Sequence, residues 1–301
     1  MNRRQFLHSA CVAASATALL PLKRLTAAES SKGVSWPIGC FNRPWLGSKE
    51  DPWKYEVALD GIKAAGYKLT GMLTRTGKEP FIGSDATPEY LTELKQKIAA
   101  RGLAVNMGAL RIKFDLPLAD QIKDTRQQID NGQTMGVQYL LTFGANNPKQ
   151  YEDYYKLMQD ATAYAQERGL KVVLKPHGGA SGASEEIMRC LEKVKHPNFK
   201  VWFDAGNILY YTGKDPLEQL KPIADKVTGF CAKDCDKQRG EVWLNFGTGK
   251  IDFPALFAEL KGAGFNGPIM VECCALGKSP DIVTANARKN REYLEKVLAS
   301  L

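Results

Sequence analysis

The chain has 301 residues, 25% of them charged and 44% hydrophobic, with 41 Lys and Arg against 33 Asp and Glu for a formal charge of +8. The charges are interspersed, as in Lys193-Val194-Lys195 and Glu185-Glu186, and no basic stripe with interleaved aromatics appears, which excludes a nucleic-acid-binding surface. Seven cysteines in a chain of this size, two of them adjacent at Cys273-Cys274, do not form a dense disulfide framework.

In chain order, residues 1–28 read as an export signal. Arg3-Arg4 precede Phe6-Leu7 and a weakly apolar run from Ala10 to Leu22, with Lys23-Arg24 and the small residues Thr26-Ala27-Ala28 after it. Paired arginines before a short apolar run resemble a twin-arginine signal, with Asn2 where Ser or Thr is usual. The run is shorter than the roughly 20 residues that span a bilayer. Export to the periplasm is therefore expected rather than a membrane anchor, and the mature protein has no other candidate span. Without the four basic residues of this segment the formal +8 falls to +4. Residues 29–33 read as a linker and 34–301 as one domain.

Within that domain, short apolar runs alternate with longer amphipathic stretches. The runs are Ser35–Phe41, Tyr67–Leu73, Leu103–Ala109, Val137–Phe143, Leu170–Lys175, Lys200–Asp204, Val227–Lys233 and Pro268–Glu272. Brief and rich in Val, Ile, Leu and Phe, they suit parallel strands buried on both faces. Between them, Tyr90-Leu91-Leu94-Ile98, Ile122-Ile129 and Leu256-Leu260 keep helical spacing. Gly66, Gly102, Gly136, Gly169 and Gly264 each stand just before the next run, where a left-handed cap ends a helix. Eight β-then-α units with no break in composition predict an α/β fold, a single (β/α)8 TIM barrel. An open doubly wound sheet is the alternative, but Gly39-Cys40-Phe41-Asn42-Arg43 lacks the glycines of a dinucleotide-binding turn, so nicotinamide binding is not expected.

In such a barrel, chemistry gathers at the C-terminal ends of the strands. Reading the strands at period two places Val173, Lys175 and His177 on one face, with Trp202 and Asp204, Cys231 and Lys233, and Met270 and Glu272 on their neighbours. So many ionisable groups on one buried rim need partners or a function. The bland alternative is a structural ion network of Asp204 and Glu272 with Lys175 and Lys233. His177, between Pro176 and Gly178-Gly179, is placed where backbone and ligand can approach closely, whereas His196 falls at the other end and reads as structural. Asn42, Arg43, Thr74, Arg75, Arg111, Asn207 and Asp234 are further polar candidates for the pocket. Trp36, Phe41, Trp45, Trp202, Tyr210, Tyr211 and Trp243 could stack on sugar faces.

At these residues the chain resembles the xylose-isomerase-like TIM barrels, the sugar phosphate isomerases and epimerases. The resemblance runs over roughly residues 34–300. It is strongest in Phe246-Gly247-Thr248-Gly249-Lys250-Ile251-Asp252, followed by Gly264-Phe265-Asn266-Gly267-Pro268-Ile269-Met270-Val271-Glu272. Val201–Asn207 resembles the family's D-T-G-H strand, and Ala232-Lys233-Asp234 its H-x-K-D strand. The resemblance implies one divalent ion held by Glu, Asp, His and Glu from strands five to eight. Asp204 and Glu272 match that set. Lys175 and Cys231 replace the other two, and Asn207 stands for the D-T-G-H histidine. A protonated lysine cannot coordinate a cation. Two outcomes follow: His177 joins Asp204 and Glu272 around Mn, Fe, Co or Zn, or Lys175 and Lys233 neutralise the carboxylates and the metal is absent.

The expected activity is proton transfer next to a carbonyl of a carbohydrate or keto-sugar, as an isomerase or epimerase. Glu272 is read as base or ligand, His177 as acid/base or ligand, and Lys175 or Lys233 as the group stabilising an enediolate. The alternatives are a metal-free keto-sugar lyase, with a lysine nucleophile that neighbouring carboxylates would disfavour, and an exported sugar-binding protein without catalysis. The nucleases that share this fold rely on many histidine ligands, which this rim lacks. The oligomeric state is left open.

Overall fold

The computed structural model describes residues 34–48, 50–75 and 79–301. The export signal at 1–28 and the linker at 29–33 lie outside the described residues. The described chain opens with β1 (Ile38–Phe41), α1 (Tyr55–Ala64), β2 (Leu69–Met72), α2 (Pro88–Ala99), β3 (Ala104–Ala109) and α3 (Leu118–Met135). It continues through β4 (Tyr139–Thr142), α4 (Tyr151–Glu167), β5 (Lys171–Leu174), α5 (Ser184–Val194) and β6 (Phe199–Asp204). It ends with α6 (Ala205–Thr212), α7 (Pro216–Leu220), β7 (Val227–Ala232), α8 (Phe253–Gly262), β8 (Ile269–Val271) and α9 (Pro280–Ala299). All eight strands are parallel neighbours in sequence order, and β8 returns to β1 through Ile38↔Ile269 and Cys40↔Val271 to close the barrel. The eight apolar runs thus form the eight staves.

Two apolar layers follow from the alternation of side chains. The outer one packs strands against helices: Leu91, Leu94 and Ile98 of α2, and Leu256, Phe257 and Leu260 of α8, are buried along one stripe of each helix. Each such side chain contributes about 1.5–3 kcal/mol on burial. The inner layer fills the barrel with Phe41, Met107, Tyr139, Val173, Trp202, Cys231 and Met270. Trp202 fits because its partner across the β6–β7 ladder is Gly229, where a Cβ would come within 2.2 Å of the indole. The five glycines expected at helix ends all have positive φ, and Gly136 (φ 76°) closes α3 with its N–H on Gln133 O.

The ends of β5 to β8 are shaped by short-range rules. Lys175 N donates to Thr142 O at 2.8 Å, extending the ladder one residue beyond β5, and Pro176 then has no N–H to continue it. Gly178 (φ 83°) and Gly179 (φ 54°) turn the chain sharply back, and a Cβ on Gly179 would lie 2.3 Å from Ala145 O. Asp204 ends β6 and caps α6, its Oδ1 accepting from Asn207 N at 2.8 Å. His196 lies in the turn before β6, where Nδ1 accepts from Asn198 N at 3.2 Å, a structural role. The described cysteines, Cys40, Cys190, Cys231, Cys235, Cys273 and Cys274, are all buried free thiols.

Candidate active site

The period-two reading brings Lys175, Asp204, Lys233 and Glu272 together at the C-terminal rim, with Cys231 beneath them. Lys175 Nζ lies 2.6 Å from Asp204 Oδ2 and 2.9 Å from Glu272 Oε2. Lys233 Nζ spans the same two carboxylates at 3.1 Å and 3.3 Å. It also donates to Asn207 Oδ1, while Asn207 Nδ2 donates to Pro176 O at 2.6 Å. Arg43, two residues past the end of β1, adds a third cation on Glu272 Oε1. Cys231 Sγ donates to Glu272 Oε2 at 2.8 Å. Asp204 is fully buried, and Lys175, Lys233 and Glu272 are 1%, 2% and 3% exposed. Ions this deep persist only because each is paired.

The electrostatics follow from that crowding. Burial alone would push the Lys175 pKa down, but Asp204 and Glu272 outweigh it and hold the group well above the ordinary lysine value. Lys233 is raised too: burial and Lys175 lower it, and Asp204 and Glu272 outweigh them. Burial would raise Glu272, but Lys175, Lys233 and Arg43 hold it well below the usual carboxylate range. Cys231 is pushed far up by burial and by Asp204 and Glu272, so it is a thiol. Both lysines are held as ammonium ions by the carboxylates, which disfavours a lysine nucleophile.

Above this floor opens a cleft of about 480 Å³, with Arg43, Arg111, Phe143, His177, Tyr211 and Trp243 among its walls. His177 stands between Phe143 (centroids 5.2 Å) and Tyr211 (4.7 Å), and its Nε2 is 2.9 Å from Tyr211 Oη. Burial, then Lys175 and Lys233, lower its pKa to about 4, so it is neutral at pH 7. Arg43 lies over the Trp243 ring at 4.9 Å and Arg111 over Phe143 at 5.8 Å. Tyr210 also lines the cleft.

Several expected pocket residues are elsewhere. Asp234 is fully buried, its oxygens accepting from the backbone N–H groups of Cys235, Gly247, Gly249 and Ile251, so it fastens the loop before α8 rather than meeting substrate. Asn42 is fully buried and joins the β1 and β2 ends through Thr74. Trp202 sits inside the barrel against Tyr139. Of the other aromatics, Phe41 also fills the barrel, Trp45 is buried and donates to Thr284 Oγ1, and Trp36 packs edge-on against Phe257 and Phe265. The wall formed by Gly240, Glu241 and Val242 escaped the sequence reading, because it belongs to an irregular loop with no periodic signal.

The metal set expected from His177, Asp204 and Glu272 does not assemble. Among the described residues, the donors within 4.8 Å of one another are Asp204, Cys231 and Glu272, while His177 Nε2 is taken up by Tyr211. Two ammonium groups occupy the ground between the carboxylates, and an ammonium has no lone pair to offer. These residues do not fit a resident divalent ion.

A closed parallel barrel with its polar groups at the strand ends and helices outside defines a TIM-barrel protein. The chain belongs to the xylose isomerase-like TIM barrel family, whose model matches residues 59–297. It is 27% identical to an inosose dehydratase of Clostridium perfringens over 171 residues, 50% of this chain and 56% of that protein. The chain thus spans about half the length of the inosose dehydratases it matches. Similarity to the L-ribulose-5-phosphate 3-epimerase of Salmonella paratyphi C is lower but longer: 22% identity over 287 residues, 88% of this chain and 95% of that one. Among solved structures, a xylose isomerase-like TIM barrel protein from Mycobacterium smegmatis in complex with magnesium superposes with a TM-score of 0.69 at 14% identity, covering 88% of this chain and 97% of that chain. That likeness is one of fold.

Proposed function

We propose that this protein is an enzyme that moves a proton next to a carbonyl of a carbohydrate or keto-sugar, with isomerisation or epimerisation as the outcome. The observation that carries the reading is the floor of the cleft, where one carboxylate, Glu272, stands within 3.3 Å of each of two ammonium groups. Removing a C–H proton beside a carbonyl needs a base and a positive charge for the oxygen that becomes anionic. In the free protein Glu272 is a weak base, because three cations stabilise its charge. A substrate oxygen that accepts from Lys175 and Lys233 draws them off Glu272 and raises its basicity. Glu272 then takes the proton, the C–H electrons form the C=C bond of the enediolate, and its oxygen rests on the two ammonium groups. Neutral His177, hydrogen-bonded to Tyr211, exchanges a proton with a substrate hydroxyl. Return of the proton from Glu272 to the neighbouring carbon isomerises, and delivery of a proton from water in the cleft to the opposite face, with Glu272 later releasing its own to solvent, epimerises. The inosose dehydratase similarity supports a second outcome from the same enediolate, in which a β-hydroxyl leaves as water.

The aromatic walls and the arginines Arg43 and Arg111 suit a small polyhydroxy substrate with an oxidised or anionic group. Residues 1–28, with the twin-arginine pattern, support export to the periplasm as a folded protein, and the buried thiols accord with folding in a reducing compartment before export.

The test is solvent exchange. Keto-sugars and inososes incubated with the protein in heavy water are followed by proton NMR for loss of signal beside the carbonyl, which reports proton removal whatever the product. Exchange in the wild type, and its loss in Glu272→Gln, is the expected result. If no ketose, keto-sugar or inosose exchanges, or if Glu272→Gln exchanges as fast as the wild type, the reading fails.

A further inference from the structure

Asp204, Cys231 and Glu272 hold three donor atoms within 4.8 Å of one another, on the adjacent strand ends of β6, β7 and β8. Two carboxylates and a thiol at this spacing are a donor set that borderline cations such as zinc and cobalt accept. The obstacle to a metal lies with the neighbours. Lys175 Nζ bridges the carboxylates from within the cluster, 2.6 Å from one and 2.9 Å from the other, with no exposure that would let it swing out to solvent. Lys233 and Arg43 bring the local charge to three cations against two carboxylates. A divalent ion entering this cluster would be repelled as well as displaced from its ligands.

We propose that Lys175 is a built-in cation standing in a latent divalent-metal site, so that the protein holds no resident metal and the change Lys175→Glu alone turns the cluster into a metal-binding one. The change supplies a fourth donor from the end of β5. It also reverses the balance to two cations against three carboxylates. Lys233 stays within 3.3 Å of both carboxylates while also donating to Asn207 Oδ1, so an ion in the converted site competes with one ammonium rather than two. The sugar reading is not needed for this inference, and heavy-water exchange tests that reading separately.

The test compares the full chain with Lys175→Glu and Lys175→Gln, each purified without chelator and equilibrated with zinc or cobalt(II) chloride alone. Bound metal is counted after dialysis, and the Tm is recorded with and without the ion. The wild type is expected to retain no metal and to keep its Tm. Lys175→Glu is expected to retain about one ion per chain and to gain several degrees, because a ligand that binds only the native state stabilises it. Its cobalt form should show thiolate-to-cobalt absorption that vanishes when Cys231→Ala is added. Lys175→Gln removes the charge without adding a carboxylate and should bind roughly tenfold or more weakly than Lys175→Glu. A wild type that holds about one ion per chain, removable by chelator with a fall in Tm, overturns the proposal. So does refusal of metal by both variants while folded. Should Lys175→Glu not fold, cobalt binding by Lys175→Gln but not by the wild type supports the proposal, and its absence overturns it.

Discussion

Charge balance on the floor of the cleft predicts how much each member of the ion network contributes to stability. Lys175 pairs with both carboxylates more closely than Lys233 does, at 2.6 Å and 2.9 Å against 3.1 Å and 3.3 Å, so distance alone ranks its loss as costly. The count of charges says otherwise. Glu272→Gln leaves Arg43, Lys175 and Lys233 facing Asp204 alone, which raises the excess of cations from one to two. Removing one partner of a buried ion pair typically costs about 3–5 kcal/mol, and Glu272→Gln should fall in that range. Lys175→Met leaves Arg43 and Lys233 against Asp204 and Glu272, a balanced set in which Lys233 still bridges both carboxylates. Its cost should be about 1–2 kcal/mol, and the methionine fills much of the vacated volume. The double variant restores an excess of one cation, as in the wild type, so it should be about 1–3 kcal/mol more stable than the sum of the single losses implies. Urea unfolding at pH 7, followed by tryptophan fluorescence and circular dichroism together, measures all four proteins. Lys175→Met costing more than Glu272→Gln, or strict additivity in the double variant, would refute the reasoning.

Two further predictions concern groups around the floor. His177 has a folded pKa of about 4, below the ordinary value near 6.5. The unfolded chain therefore binds its proton first, and stability is lost as pH falls from about 6.5 toward 4. Allowing for partial exposure, about 1–2 kcal/mol should go between pH 6.5 and 4.5, and His177→Gln should flatten that part of a stability-versus-pH curve. An unchanged slope would show that His177 is not held neutral. Asp234→Ala strips one oxygen acceptor or another from four backbone N–H groups and should cost about 2–4 kcal/mol. Hydrogen exchange should speed up at Gly247, Gly249 and Ile251 while β8 stays protected, and equal protection in both places would contradict the anchoring role.

The barrel was legible because its signals are local. Each strand is an apolar run ended by a turn former, and Gly66, Gly102, Gly136, Gly169 and Gly264 mark helix ends by a backbone conformation other residues avoid. Period two was enough to point Lys175, Asp204, Lys233 and Glu272 at one another once the strands were placed in order. The direction of side chains beyond the last ladder residue was not legible. Asp234 follows Lys233 and so turns to the opposite side, where a loop some 13 to 17 residues further on consumes it. His177 continues the inward parity of Lys175 in sequence, yet Pro176 and the Gly178-Gly179 turn carry its ring to the wall beside Tyr211, away from the carboxylates. The resemblance supplied a metal, and only the ion pairs could say what Lys175 does to that expectation.

The charged floor comes from one half of the closed sheet. The ends of β5, β6, β7 and β8 carry Lys175, Asp204, Lys233 and Glu272, while the ends of β2, β3 and β4 contribute Leu73, Arg111 and Phe143 to the opposite wall. On the proposed reading, the groups that move protons are thereby set apart from Leu73, Arg111 and Phe143. The ion pairs of the floor use no side chain from the ends of β2, β3 and β4, so side-chain changes at Leu73, Arg111 and Phe143 leave its charges in place, whereas the backbone after β4 must stay as it is because Ala145 O lies against Gly179. A library that varies only this half of the rim is the natural starting point for redirecting the protein to other substrates.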